Sequence, residues 1–156
     1  MKNVSAWMEA AANIGVLAGI IFLTIEVSQN TIATKSEASL AIKVAIADSI
    51  AEPTTNPKLF DTVYKTYRDE ELDPKENLLA SFFYHSVLTK MEAALQQYEL
   101  GVLDENVLES FDSELFMLTG GSSFSRQNWN EQKDSFSPEL RQYVAELIEK
   151  KRSERQ

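Results

Sequence analysis

The chain of 156 residues contains no cysteine, which excludes disulfide staples and thiolate metal sites. It has a single histidine, His85, so any catalytic triad or imidazole-rich metal site would depend on that one ring. Glycine and proline are scarce, at 5 and 4. No stretch alternates apolar and polar residues with period two, so strands are not expected. No internal repeat or low-complexity tract appears. Basic residues are outnumbered, 15 Lys and Arg against 24 Asp and Glu, for a formal charge of −9. Only Lys2, Glu9 and Glu26 precede Ser28, so the rest carries 22 acids and 14 bases, a net −8. A surface of that sign repels nucleic acid and anionic lipid headgroups. Nucleic acid is therefore not an expected partner.

What is present is a long apolar run. Ala10 to Ile25, AAANIGVLAGIIFLTI, is 16 residues without a charge, bounded by Glu9 and Glu26. As a helix it is about 24 Å long, short for a bilayer core of about 30 Å. Adding Trp7, Met8 and Val27 closes the gap, and Trp7 then lies where interfacial aromatics collect. The expectation is a transmembrane anchor over residues 1–27. A buried core helix and a signal peptide are the alternatives. The second fits poorly, because Lys2 is the only basic residue ahead of the run and no small-x-small cleavage site follows it. Within the run, Ala11, Gly15 and Gly19 recur every four residues, a small-residue stripe that lets two membrane helices approach closely. Asn13 adds a polar group that prefers a partner helix to lipid. The expected helix–helix interface is therefore Ala11, Asn13, Gly15 and Gly19, with Trp7 at the membrane surface.

Residues 28–156 read as an acidic helical bundle. Ser5 is the expected first N-cap. Ser28 to Ala51 lacks Gly and Pro and continues the helix, straight or bent near Gln29–Asn30. Its apolar stripe is Ile32, Ser36, Leu40, Val44, Ala47, Ile50 and Ala51, with a flank of Ile42, Ile46 and Ile50. Pro53 is expected to end it. Asn56-Pro57 starts a second helix with Leu59, Phe60, Val63, Tyr64 and Tyr67 inward. A solvated Asp69-Glu70-Glu71 loop follows. Asp73-Pro74-Lys75-Glu76 has the form of a capping box and opens a long central helix that stops at Gly101. One helix is then expected from Asp104 to Gly120, another within Ser122–Phe136, and a last one capped by Ser137-Pro138.

Three segments, IEVSQNT closing the apolar run, YELGVLDE after the central helix, and Trp129 followed by FSPELRQYVAEL, resemble a family of bacterial proteins without an assigned activity. Its members have an N-terminal apolar helix ending in Gln-Asn-Thr and a single predicted span. The family often has a basic residue just before that motif, where Ser28 stands here. The resemblance implies architecture, a single-pass protein of the bacterial inner membrane, and no chemistry. Lys2 and the amino terminus favour a cytoplasmic N-terminus, whereas the basic residues that follow the span in that family favour a cytoplasmic domain, and a cytoplasmic domain is the expectation.

No catalytic, cofactor-binding or metal-binding residue is expected. His85, Glu92 and Glu99 share one helix face at seven-residue spacing, but the Glu-x-x-His pairs of di-iron bundles are missing, and a solvated polar face is the simpler account. The acids between Asp69 and Glu76 lack calcium-loop spacing. Gly120-Gly121-Ser122-Ser123 lacks the Lys of a phosphate loop. Phe124, Trp129 and Phe136 are expected in the core. The functional expectation is a non-enzymatic, membrane-anchored structural or interaction protein, or accessory subunit, whose partners are lipid and a protein or a second copy. The alternatives are a soluble helical binding module and, behind both, an enzyme built on His85 and carboxylates.

Overall fold

The computed structural model describes residues 2–154, and for 2–6 and 9–12 the backbone alone. Among the described residues the regular structure is all helical: α1 (Lys2–Thr55), α2 (Pro57–Tyr67), α3 (Pro74–Glu99), α4 (Glu105–Glu109), α5 (Asp112–Thr119), α6 (Ser123–Gln132), a 3-10 turn (Lys133–Ser135) and α7 (Pro138–Ser153). By contacts the chain divides at Glu37/Ala38, inside α1. The expected boundary at Val27 follows the end of the apolar run, a different property from where packing begins.

α1 has 54 residues and no break at Gln29–Asn30. Ser5 lies inside it rather than at its start, because Lys2-Asn3-Val4 contains nothing that stops a helix. Pro53 also lies inside, in the last turn, and the helix runs on to Thr55. A proline that near the end forfeits only one terminal hydrogen bond. The face that α1 turns to the core differs from the expected one. Ile46, Ser49 and Pro53 are buried and Ile42 half-buried, while Leu40, Val44 and Ile50 are exposed. The packing face is Ile42, Ile46, Ser49 and Pro53, spaced i, i+4, i+7, i+11, and takes Ile42 and Ile46 from the flank but not Ile50.

The second unit is organised on α3. Tyr84, Val87, Leu88, Met91, Ala94 and Leu95 form its buried face, joined by Ile46, Leu115, Phe116, Trp129, Phe136, Leu140, Val144 and Leu147. Each fully buried large aliphatic side chain contributes about 1.5–3 kcal/mol. Phe124 packs partly buried against this cluster, as expected of the aromatic trio.

The helix starts follow local chemistry. Asn56 accepts from the Leu59 N–H at 3.2 Å. Asp73 Oδ1 accepts from the N–H groups of Lys75 (2.7 Å) and Glu76 (2.9 Å), and Glu76 Oε2 accepts from the Asp73 N–H at 3.0 Å, completing the capping box. Lys65 Nζ reaches Glu76 Oε1 at 2.6 Å and ties α2 to this start. Gly101, at φ 68, ends α3 in the left-handed conformation that glycine adopts without steric cost. The Asp69-Glu70-Glu71 loop is not merely solvated. Asp69 holds φ 54, and its Oδ1 accepts from the Ser123 N–H at 2.7 Å and from the Ser123 hydroxyl, so it caps the first turn of α6 from another part of the chain.

The helix expected from Asp104 to Gly120 is two helices, α4 and α5, broken at Ser110–Phe111. Val107 and Phe116, nine residues apart, would face opposite sides of one straight helix at 3.6 residues per turn. The break allows both to be buried. Gly121 then turns closely against α5: a Cβ there would lie 2.9 Å from Met117 Cα and 3.0 Å from its carbonyl oxygen.

Candidate functional site

The first unit by itself is a bare helix. Every described side chain from 13 to 37 is exposed, including Ile14, Leu17, Ile20, Ile21, Phe22, Leu23 and Ile25 at 51–67%. α1 is long and apolar enough to cross a membrane, a test that a signal sequence near an N-terminus also passes, and none of its apolar window is buried. Trp7, 77% exposed, lies on the same helix. Gly15 and Gly19 are one helical turn apart, and a Cβ on either would meet nothing within 4 Å. Their small size is therefore not required by packing within the described chain, in contrast to Gly121. Asn13 is exposed, and the side chain of Ala11 lies outside the described residues. The hydroxyls of Thr24 and Thr31 donate back to the Ile20 and Val27 carbonyls at 2.8 and 2.9 Å, so the helix satisfies them internally.

The polar face of α3 is not simply solvated. His85 is half-buried, its ring 5.1 Å from that of Phe136, and its Nδ1 lies 2.9 Å from Gln132 Oε1. The Gln132 amide nitrogen donates to Asn128 Oδ1 at 2.8 Å, which turns the Gln132 oxygen toward the His85 ring. Glu92 Oε1 accepts from the Ser137 N–H at 2.6 Å, which places a carboxylate at the start of α7. Glu99 is exposed. The α6–α7 junction thus covers His85 and Glu92 and gives each a structural partner. Among the described residues no three His, Cys, Asp or Glu side chains are grouped to hold a metal ion.

A second feature emerges in the larger unit. Phe60, Tyr64 and Tyr67, expected inward, are 49–51% exposed. The buried face of α2 is instead Leu59, Thr62, Val63 and Thr66. The aromatic set is offset from that face by one residue, about 100° around the helix. The rings wall an apolar groove of about 420 Å³ between the end of α1, α2, α3 and α5. The Phe60 and Tyr64 rings stack at 6.3 Å. Across from them lie Phe83, Met117 and Glu114. Burial and the nearby charge of Glu114 hold the Tyr67 phenol above its ordinary range. The enclosed Glu114 Oε2 has no hydrogen-bond partner. The sequence reading missed Glu114 and Met117. The available signal was the excess of large rings on α2, more than one helix face can bury.

On the far side of α5 a wider hollow of about 780 Å³ brings Arg126, Lys133, Arg141 and Arg152 near Trp129. Two of the four cations are already paired, Arg141 with Asp134 at 3.2 Å and Arg152 with Glu149 at 2.9 Å.

Compared with family models, with curated proteins and with solved structures, the chain matches none of them.

Proposed function

We propose that the chain is a single-pass membrane protein of structural or accessory type, not an enzyme. α1 anchors it in the bacterial inner membrane and associates with a partner helix or a second copy through Ala11, Asn13, Gly15 and Gly19, and the acidic bundle lies on the cytoplasmic side. The observation that carries the reading is the uninterrupted exposure of the apolar part of α1. Nine large apolar side chains between Ile14 and Val27 stand uncovered. Leaving that many in water costs on the order of 10 kcal/mol or more, and patches of this size mark membrane or partner contact. The inward hydrogen bond of Thr24 suits a lipid environment, where no water is at hand to satisfy a hydroxyl. A core helix, by contrast, would show an apolar face covered by other parts of the chain.

The full-length chain is expected in the membrane fraction and resistant to carbonate extraction, and a truncated chain beginning at Ser28 soluble and helical. Recovery of the full-length protein as a detergent-free monomer would overturn the reading. The stripe is tested separately in a membrane two-hybrid assay. Between helices in lipid, close van der Waals contact drives association, so Gly15→Leu or Gly19→Leu should lower it. Ile14→Leu and Ile21→Leu should not. Asn13→Leu should be intermediate, as interhelical polar contacts average about 0.6 kcal/mol. Equal behaviour of the glycine and isoleucine variants would remove the stripe's packing role.

A further inference from the structure

The groove beside α2 has the scale and chemistry of a small-molecule site. Its volume of about 420 Å³ falls in the usual range of ligand pockets, roughly 300–1,000 Å³. Three of its walls are rings left about half exposed, whereas Tyr84, Phe116, Trp129 and Phe136 are buried in the same bundle. Among its few polar groups, the Thr54 hydroxyl is already bonded to the Ala51 carbonyl at 2.7 Å. Glu114 is different. Its Oε2 is enclosed and unpartnered, and no Lys or Arg lines the groove to compensate it. The Arg68 guanidinium sits 5.9 Å from the centroid of the Tyr64 ring and pairs with Glu70 at 3.5 Å. It is committed elsewhere, and its position over Tyr64 illustrates the attraction of these ring faces for a cation.

We infer that the groove binds an apolar amine, an aryl or alkyl ammonium whose hydrocarbon part lies among Phe60, Tyr64, Tyr67 and Met117 and whose N–H donors bond to Glu114. The choice of ligand follows from charge. A fatty acid or other anion would meet a carboxylate with no counter-ion. A neutral apolar molecule would fill the groove but leave Glu114 unsatisfied. A cation on a hydrocarbon body gains both the apolar burial and a charge-assisted hydrogen bond, about twice as strong as a neutral one. The terminal torsion of a glutamate is broad and twofold, so a small rotation turns an enclosed carboxylate oxygen toward a donor in the groove. Tyr67, whose phenol feels the Glu114 charge, would lie alongside the bound nitrogen.

The four methionines give a direct test. Met117 lines the groove, whereas Met91 is buried in the core at 3% exposure. The full-length chain, labelled with ¹³C-methyl methionine and held in nanodiscs, is titrated with 4-phenylbutylammonium and, separately, with the neutral 4-phenylbutanol. The ammonium should shift the Met117 methyl resonance saturably, with Kd below about 1 mM, and leave Met91 in place. The alcohol should bind at least about tenfold more weakly. In Glu114→Gln the ammonium should fall to the level of the alcohol. A Met117 resonance unmoved by the ammonium, or moved equally by ammonium and alcohol, or an unchanged affinity in Glu114→Gln would each overturn the inference. Should Glu114→Gln displace the Met91 resonance, and so disturb the fold, the ammonium–alcohol comparison on the unaltered chain decides by itself. These readouts do not depend on the anchoring of α1: if the protein needs no lipid, the same titration runs in buffer.

Discussion

Substitution of the Tyr84–Thr66 pair should reveal which hydroxyl donates. Both residues are 1% exposed, Tyr84 on α3 and Thr66 on α2, and their oxygens are 2.9 Å apart. The Thr66 hydroxyl also lies 2.6 Å from the Val63 carbonyl, which can only accept. Its one proton is spent there, so Tyr84 donates to Thr66. The two single substitutions are therefore unequal. Tyr84→Phe keeps the ring and its edge contact with Phe124 at 5.3 Å and leaves no donor stranded, so it should cost about 0.5–1.5 kcal/mol. Thr66→Val removes the acceptor and strands a buried phenolic proton, at about 1–3 kcal/mol. The double variant has neither group and should cost no more than Thr66→Val alone, a coupling at least as large as the Tyr84→Phe cost of about 0.5–1.5 kcal/mol. The assay is urea unfolding followed by Trp129 fluorescence in a Trp7→Phe background. Additive costs, or a larger loss in Tyr84→Phe than in Thr66→Val, would refute the assignment.

Glu92→Ala should destabilise α7 by about 1.5–3 kcal/mol, the worth of a hydrogen bond to a charged group. Glu92→Gln should lose less, because an amide oxygen still accepts from the Ser137 N–H; equal losses in urea unfolding would deny the carboxylate its capping role. Gly121→Ala should cost about 1–3 kcal/mol because its Cβ would press on Met117 backbone. Gly101→Ala has open space and should cost only about 1 kcal/mol, from its positive φ; both are read from the midpoint of thermal unfolding. Burial pushes the Tyr84 phenol up to about 12. Its folded pKa lies above its unfolded one, so the stability it contributes is complete below about pH 10 and is lost as pH rises through 12. Absorbance at 295 nm should show a late-titrating tyrosine that disappears in Tyr84→Phe. In acid the sign reverses: Ser123 donors hold Asp69, the Glu76 N–H holds Asp73, and Lys65 holds Glu76 below the ordinary carboxylate range. Stability from these groups is present above about pH 4 and should fall with further acidification, less steeply in Asp73→Asn.

Elements governed by local chemistry were legible in the chain itself. The helix starts at Asn56, Asp73, Ser122 and Ser137 depend on a side chain meeting backbone N–H groups two or three residues on, and the end of α3 depends on a glycine at positive φ. The apolar run of α1 is legible because length and hydrophobicity suffice to recognise it. Tertiary structure alone decided which faces were covered. Periodicity assigns an apolar stripe to a helix but not its exact rotation, so it puts Leu40 and Val44 at the centre of the α1 stripe, where packing selects Ile46, and groups Phe60, Tyr64 and Tyr67 with Leu59 and Val63 on α2, where packing buries only the last two. The same limit hid the partners of His85, Glu92 and Asp69, which lie 47, 45 and 54 residues away. It hid Glu114 as well, an acid unremarkable in sequence that acquires a chemical role only because α2 brings a wall of rings up to α5. Local hydrogen bonds and hydrophobic length are written residue by residue along the chain, whereas burial and charge environment are properties of what other helices bring close.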